Sequence, residues 1–144
     1  MTQAPSFWRC SECEREFRLE NQWHSCVRRS VEDHFEGKPE EVRRTFVRLV
    51  GELERLGPIR VDAVKSGINI AGRAHFAGAR PQKDGLRVGF LLGRRLEHPR
   101  VLRAEWVGGR VYAHSVKLAR EEDLDELLGW LAEAYELKGR PLPP

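Results

Sequence analysis

The clearest periodic stretch of the chain is a run of apolar residues that recur every three or four positions between Pro39 and Gly57. These residues are Val42, Phe46, Leu49, Val50, Leu53 and Leu56. Their spacing places them on one side of a helix. Proline suits the first turn of a helix, and Gly57 followed by Pro58 is a typical stop. The pattern predicts one amphipathic helix, preceded by a capping turn from Ser30 to Asp33.

From Ile59 to Leu118 the apolar residues alternate with polar ones, which is typical of strands. The predicted strands are Ile59–Val64, Ile68–Ile70, Ala74–Ala79, Leu86–Leu92, Val101–Val107 and Val111–Leu118. We expect Pro81 to close the third strand and Gly108-Gly109 to form a two-residue hairpin turn. Most connections are too short for crossover helices, so the sheet should be largely antiparallel, with the very apolar strand Leu86–Leu92 at its centre.

A second helical pattern runs from Glu121 to Lys138. Its apolar positions are Leu124, Leu127, Leu128, Leu131, Ala134 and Tyr135. Acidic residues fill its first turn and Gly139 follows its last, as expected for a helix. The chain is therefore predicted to be α+β. Residues 30–144 should form a two-layer domain of one helix, five or six mostly antiparallel strands and a second helix on the same face.

All three cysteines of the chain precede this domain, in the order Cys10-x2-Cys13, ten residues, then His24-x-Cys26. Thiolate sulfur and imidazole nitrogen are the ligands of structural zinc sites, which are closed and tetrahedral. We predict one structural zinc ion held by Cys10, Cys13, His24 and Cys26, in a knuckle formed by residues 1–29. A module this short buries little apolar surface, so metal binding should supply most of its folding free energy.

Other roles for the cysteines remain open at this point. A redox Cys-x2-Cys pair belongs at the start of a helix in a βαβ unit, whereas Cys10 and Cys13 lie near the start of the chain. A disulfide framework needs an even number of cysteines and a secreted context. The spacing of His24 and Cys26 is tighter than the usual three to five residues, and His34 is an alternative ligand for either of them.

The net charge of the chain excludes few classes of function. The chain has 25 basic and 22 acidic residues, a formal charge of +3 and a pI near 9.0, which permits nucleic-acid binding without demonstrating it. The first residues lack the apolar segment of a signal peptide, and no apolar run approaches the ~18 residues of a membrane span. Together with reduced thiols, these features predict a cytoplasmic protein that does not interact with membranes.

His114 is the polar residue with the most apolar surroundings, because Tyr112, Val116 and Leu118 share its side of the last strand. It is either a core histidine held by one hydrogen bond or the floor of an anion pocket. The basic residues that could line such a pocket are Lys65, Arg73, His75, Arg80, Lys83, Arg94, Arg95 and Arg100. Arginine's planar fork suits carboxylate or phosphate, but many such residues are ordinary surface groups.

The sequence offers no sign of catalysis. It has no GxGxxG that opens a helix and no GxxxxGK[ST], GxSxG or HExxH motif. The acidic residues concentrate on the two predicted helices, where they resemble ordinary solvated faces, and no nucleophile and base stand out as a pair. We therefore favour a binding protein, and an enzyme that uses the same lysine, arginine and histidine residues is the weaker alternative.

Several stretches, in order, resemble one protein family. They are HFEGKPEEVRRTFVRLV (34–50), GPIRVDAVKSGINIAGRAHFAGARPQKDGLRVGFLLGRRL (57–96), RVYAHSVKL (110–118) and DLDELLGWLAEAY (123–135). These stretches resemble the family described as domain of unknown function 5655, over residues 31–138. The segment CxxC…NQWHSC also resembles a short zinc-finger-like segment that some such proteins carry. The resemblance implies a fold but assigns no function.

Within the matching motifs, the polar residues that best suit a ligand site are Lys65, Arg73, Arg94 and His114. We predict a zinc-containing, non-catalytic protein whose basic face or pocket binds an anion, with DNA or RNA as the favoured partner. The alternative is a sensor or carrier of a small anionic molecule, with a pocket on the sheet near His114 and a purely structural zinc ion.

Overall fold

The computed structural model describes residues 8–11, the backbone of residues 16–17, and residues 30–143. A short hairpin, β1 (Trp8–Arg9) and β2 (Glu16–Phe17), lies in the first part. The strands of the main sheet are β3 (Arg60–Val64), β4 (Gly67–Ala71), β5 (His75–Gln82), β6 (Gly85–Leu92), β7 (Val101–Gly108) and β8 (Val111–Leu118). The helical segments are a 3-10 turn (Glu32–Phe35), α1 (Glu40–Glu54), a second 3-10 segment (Glu121–Leu127), α2 (Leu128–Ala134) and a π-helical turn (Tyr135–Gly139).

The main sheet confirms the prediction of an antiparallel α+β domain. Its six strands lie in the order β3-β4-β5-β6-β8-β7, and every neighbouring pair is antiparallel. The apolar strand β6 is central, as the sequence predicts. Strand β8 inserts between β6 and β7, so β3 and β7 form the two edges.

One face of this sheet carries the hydrophobic core. Alternate residues of β6, from Leu86 to Leu92, are fully buried and pack against α1 and α2. Helix α1 contributes Phe46, Leu49 and Leu53 to the same core, as its periodicity predicts. Because both helices cover this single face, the opposite face of the sheet carries no helical layer within residues 30–143, and we call it the uncovered face.

The start of the domain confirms the predicted capping turn. The Ser30 hydroxyl oxygen accepts the Asp33 amide proton at 3.1 Å, and the Asp33 carboxylate accepts the Ser30 amide proton at 3.0 Å. This reciprocal pair satisfies two amides at the start of the 3-10 turn. The turn then leads through Pro39 into α1, whose last residue is Glu54, close to the predicted stop at Gly57.

Three details of the prediction are corrected. Strand β5 continues through Pro81 to Gln82. Its antiparallel neighbour β4 begins only at Gly67, so Pro81 lies beyond β4 and pairs with β6 on its other side. A residue without an amide proton is tolerated at such an edge. The β7–β8 turn comprises Gly109 and Arg110, and Gly108 is the last residue of β7. The second predicted helix is a succession of 3-10, α and π turns.

The start of this composite helix depends on a buried carboxylate that the sequence pattern did not single out. Asp123 accepts the amide protons of Ala119 and Arg120, each at 3.0 Å, and a guanidinium proton of Arg100 at 2.8 Å. Burial alone would raise the pKa of Asp123. The bonds from Arg100, Arg120 and Ala119 outweigh that effect and hold the pKa below its usual value. The expectation that all helix acids are solvated is therefore wrong for Asp123, which is 7% exposed.

None of the helices in the described part of the chain is long and apolar enough to cross a membrane.

Candidate functional site

The uncovered face of the sheet holds a shallow groove of about 370 Å³. Because side chains alternate along β6, Arg87 and Gly89 point away from the helices while Val88 and Phe90 point into the core. The same alternation brings residues of five strands, β4 to β8, to the groove. The groove therefore follows from the strand register alone.

The floor of the groove is made of glycine. Gly78 of β5 lies directly opposite Gly89 of β6, with Asn69 of β4 on one side and Ser115 of β8 on the other. A Cβ added at Gly78 would lie 3.1 Å from a backbone oxygen, whereas one added at Gly89 would lie at 3.5 Å. The missing side chains allow a ligand to approach the strand backbone closely.

A row of three basic residues borders this floor. Arg80 of β5 is opposite Arg87 of β6, which is opposite Lys117 of β8. Like charges directly opposite each other on neighbouring strands destabilise a sheet. An anion bound between Arg80 and Arg87 would relieve that repulsion, so the row has the arrangement of an anion site.

The two arginines of the row contact only neutral groups in the part of the chain that is described. Arg80 donates from Nε to the Ser66 carbonyl oxygen at 3.0 Å, and Arg87 donates from Nη2 to the Ser115 hydroxyl at 3.0 Å. Lys117 differs, because its ammonium group pairs with Asp84 at 2.5 Å. Arg80 and Arg87 thus retain guanidinium donors and positive charge for a ligand.

The side of the groove formed by β7 carries both signs of charge. Arg103 and Glu105 form an ion pair at 3.1 Å, and both side chains are more than half exposed. Glu105 would repel an anion that lay over β7. The part of the groove where positive charge has no carboxylate partner among the described residues is consequently the area over β5 and β6.

His114 does not present its side chain to this groove. Its backbone lines the groove, but its ring lies on the core face, stacked on Phe90 with centroids 5.4 Å apart. Nε2 accepts the Leu96 amide proton at 2.9 Å, so the neutral ring carries its proton on Nδ1, which has no hydrogen-bond partner among the described groups. Burial lowers the pKa of His114, although the carbonyls of Tyr112 and Phe90 act to raise it. This placement is that of a neutral core histidine.

The other three predicted ligand residues are dispersed. Arg94 forms a two-bond ion pair with Glu133 of α2, at 2.9 Å for each bond. Arg73 donates to the carbonyls of Leu137 and Arg140 at the C-terminal end of the π-helical turn. Lys65 is exposed in the β3–β4 turn, next to Ser66 at the margin of the groove. The four residues therefore do not converge on one pocket.

Of the predicted zinc ligands, only Cys10 falls in the described part of the chain. It is buried and follows β1 directly. Cys13, His24 and Cys26 lie outside the described residues, and the described ranges contain no group of three or more potential metal ligands. The alternative ligand His34 has Nε2 at 2.7 Å from the Val64 carbonyl oxygen, which leaves only Nδ1 for a metal.

Sequence reasoning missed the residues at the centre of the groove, apart from Arg80. The signal was nevertheless present in β6, where Arg87 and Gly89 interrupt an otherwise apolar strand at every second position. Their shared period of two indicates one face. What the sequence does not give is the register that aligns Gly89 with Gly78 and Arg87 with Arg80.

Comparison with known proteins adds a family and nothing more. A family model described as "Domain of unknown function (DUF5655)" matches residues 31–138. This range covers most of the chain and includes the 3-10 turn at its start, the whole main sheet and both α-helices. No curated protein and no solved structure matches the chain.

Proposed function

The chain belongs to the DUF5655 family, whose description assigns no activity, and we propose that its uncovered sheet face binds a phosphate-bearing ligand, with nucleic acid as the favoured class. The observation that carries this proposal is the pair of opposed arginines, Arg80 and Arg87, beside the floor formed by Gly78 and Gly89. We propose a binding role without catalysis.

Phosphate fits the two arginines for electrostatic and geometric reasons. Opposed residues on neighbouring antiparallel strands have Cβ atoms about 4.5–5.5 Å apart, so two guanidinium groups can contact the same phosphate from one side. Each guanidinium presents its donors in a fixed fork that matches two phosphate oxygens. The bonds to Ser66 and Ser115 hold the two forks over the strands without neutralising them.

The length of the basic row favours a polyanion. Neighbouring strands lie about 4.7–4.9 Å apart, so a row that crosses three strands spans roughly 10 Å. Lys117 extends the row beyond what a single phosphate can contact, and Lys65 and Ser66 lie at the opposite margin of the face. A nucleic-acid strand that crosses β5, β6 and β8 would place one phosphate on the arginine pair and another near Lys117, where it would compete with Asp84.

The test compares binding of fluorescent single-stranded and duplex oligonucleotides by the full chain and by the double variant Arg80→Gln/Arg87→Gln. Removal of each charge-assisted hydrogen bond to phosphate should weaken binding roughly 10- to 100-fold. The slope of log affinity against log salt should fall by about 0.7 for each phosphate of a single strand that the variant no longer neutralises. The matched control is Arg44→Gln/Arg55→Gln, which removes the same charge from the helical side of the molecule.

Equal loss of affinity in the two double variants would show that binding follows net charge and does not use the groove. Absence of any binding at low salt would remove nucleic acid as the ligand. Thermal unfolding of both variants must remain close to that of the wild type for the comparison to hold.

A small anionic molecule is the second candidate, and the size of the groove favours it. A volume of about 370 Å³ lies within the range of about 300–1,000 Å³ typical of small-molecule sites. The glycine floor would then receive a flat or compact group of the ligand. Saturable binding of a mononucleotide or inorganic phosphate, lost in Arg80→Gln/Arg87→Gln and absent for oligonucleotides, would favour this candidate.

We also propose one structural zinc ion bound by Cys10, Cys13, His24 and Cys26. The support is the position of the Cys-x2-Cys segment, which starts directly after β1 and lies in the connection to its antiparallel partner β2. A connection as short as residues 10–15, between two paired strands, suits a pair of thiolates that share one ion. We expect one equivalent of zinc in protein purified without added metal, and none in Cys10→Ser/Cys13→Ser. Protein that contains no metal and is folded throughout would refute the site.

A further inference from the structure

Strand β7 is a long edge strand with exposed apolar side chains. It has eight residues, and among the described strands only β8 pairs with it. Three of its large apolar side chains are more than half exposed, namely Leu102 at 59%, Trp106 at 63% and Val107 at 53%. Long apolar edges attract other strands, and proteins normally shorten them or place charges on them. The opposite edge, β3, is shorter, with five residues that include Arg60 and Asp62.

Strand β7 has similar apolar residues at matching distances on either side of Ala104, and opposite charges directly next to it. Two apolar residues and an arginine precede it, and a glutamate and two apolar residues follow it, in the order VLR-A-EWV. In an antiparallel pair with Ala104 opposite its own copy, Arg103 of each chain lies opposite Glu105 of the other. Leu102, which lies at the irregularity between Val101 and Arg103, then comes next to Trp106 of the other chain. Each favourable pair occurs twice because a twofold interface is self-complementary.

We propose that β7 pairs antiparallel with β7 of a second copy of this chain, with Ala104 on the twofold axis. The two six-stranded sheets would then become one continuous sheet. A second copy of this chain fits the edge because Arg103 and Glu105 have complementary charges in this register. A shift of two residues in one direction places Arg103 opposite Arg103, and a shift in the other direction places Glu105 opposite Glu105. Like charges would then meet on the axis, so both shifted registers are disfavoured.

The local geometry of β7 suits a short interface centred on Ala104. The register between β7 and β8 is regular from Arg103 to Trp106, with irregularities on either side, between Val101 and Arg103 and between Trp106 and Gly108. Bulges at the ends of an edge strand limit further pairing. The Arg103–Glu105 ion pair within each chain is exposed, so both groups have room for the oppositely charged residue of a second copy.

The test is sedimentation equilibrium of the full chain under reducing conditions, so that intermolecular disulfides do not contribute. We expect a monomer–dimer equilibrium. The single variants Arg103→Glu and Glu105→Arg place like charges opposite each other twice, and each should weaken self-association roughly 10- to 100-fold. The double variant Arg103→Glu/Glu105→Arg exchanges the charges and should restore the wild-type dimer.

Mixing the two single variants provides the sharpest arm of the experiment. In that heterodimer one chain would carry carboxylates at both positions and the other would carry guanidinium groups at both, so opposite charges would face each other twice. The mixture should therefore associate more tightly than either component does alone. The matched control is Asp62→Arg on the other edge strand, which should leave the dimer unchanged. Circular dichroism confirms that every variant remains folded.

Three results would overturn the proposal. Monomers at every concentration would show that β7 does not pair with itself and would leave the edge to a strand of another protein. A dimer that is insensitive to both single variants would place the interface elsewhere. Failure of both the charge exchange and the mixture to restore association would show that Arg103 and Glu105 do not face each other.

Discussion

Gly89→Val is the substitution that should weaken ligand binding at the proposed site without lowering the stability of the fold. Gly89 lies at the centre of the groove floor, and a Cβ at this position would make an ordinary contact of 3.5 Å with the His114 carbonyl oxygen. Gly78, on the neighbouring strand, has no side chain, which leaves room for the methyl groups of valine. Gly78 itself is less suitable for substitution, since a Cβ there would lie 3.1 Å from a backbone oxygen.

The expected effects on stability and on binding have opposite signs. Glycine within a strand costs roughly 0.5–1 kcal/mol relative to alanine, and a β-branched residue is favoured further in strands. We therefore expect the free energy of unfolding of Gly89→Val to rise by about 1 kcal/mol. This corresponds to an increase of roughly 2–4 °C in Tm for a chain of this size. The isopropyl group should raise the groove floor beside Arg80 and Arg87 and weaken oligonucleotide binding by at least about tenfold.

The assay pairs thermal unfolding with a binding titration at a single salt concentration. Gly51→Ala is the matched control, because Gly51 lies on α1 and an added Cβ would have no atom within 4 Å apart from its chain neighbours and the backbone of its own helix. It should gain about 1 kcal/mol from helix propensity and bind as the wild type does. Wild-type binding by Gly89→Val would refute the groove as the site. A clear loss of stability would instead refute the packing argument.

Two further predictions concern buried polar groups. Asp123→Ala leaves two amide donors and a guanidinium without their acceptor, so we expect a loss of roughly 3 kcal/mol in urea unfolding, against less than about 1 kcal/mol for the exposed control Asp125→Ala. His114→Ala should cost about 3 kcal/mol through the missing stacking on Phe90 and the unpaired Leu96 amide. Since burial lowers the pKa of His114, protonation favours the unfolded chain. Wild-type stability should therefore fall as the pH drops below the ordinary value of 6.5, and this contribution should vanish in the variant.

Most of the fold follows from local periodicity. The stripe from Val42 to Leu53 predicts α1, and the alternation in β6 and β8 predicts both strands and their buried faces. The errors arise where a neighbour decides the outcome. Pro81 remains in a strand because it lies beyond Gly67, the first residue of β4. The helix from Glu121 begins with 3-10 turns that are capped by the buried Asp123. Neither fact is contained in the local pattern.

The candidate site was less accessible to sequence reasoning. Alternation correctly places His114 among apolar neighbours, but only tertiary structure brings the Leu96 amide to its ring. Arg73 and Arg94 have suitable chemistry for a ligand, yet their partners lie 39 or more residues away along the chain. Conversely, Arg80 and Arg87 become a pair only through the strand register. Residue type identifies candidate ligand-binding residues, and the strand register of the sheet determines which of them lie next to each other.

The distribution of ion pairs supports the uncovered sheet face as the proposed binding surface better than the overall charge of +3 does. Five arginines pair with carboxylates that lie in helical segments, in the pairs Arg43–Glu32, Arg48–Asp125, Arg94–Glu133, Arg100–Asp123 and Arg140–Glu136. On the sheet face, Lys117 and Arg103 are likewise paired. Arg80 and Arg87 lie between them without a carboxylate partner among the described residues. Because paired charges attract a distant anion weakly, replacement of Arg80 and Arg87 should reduce the salt dependence of binding more than replacement of two ion-paired arginines does.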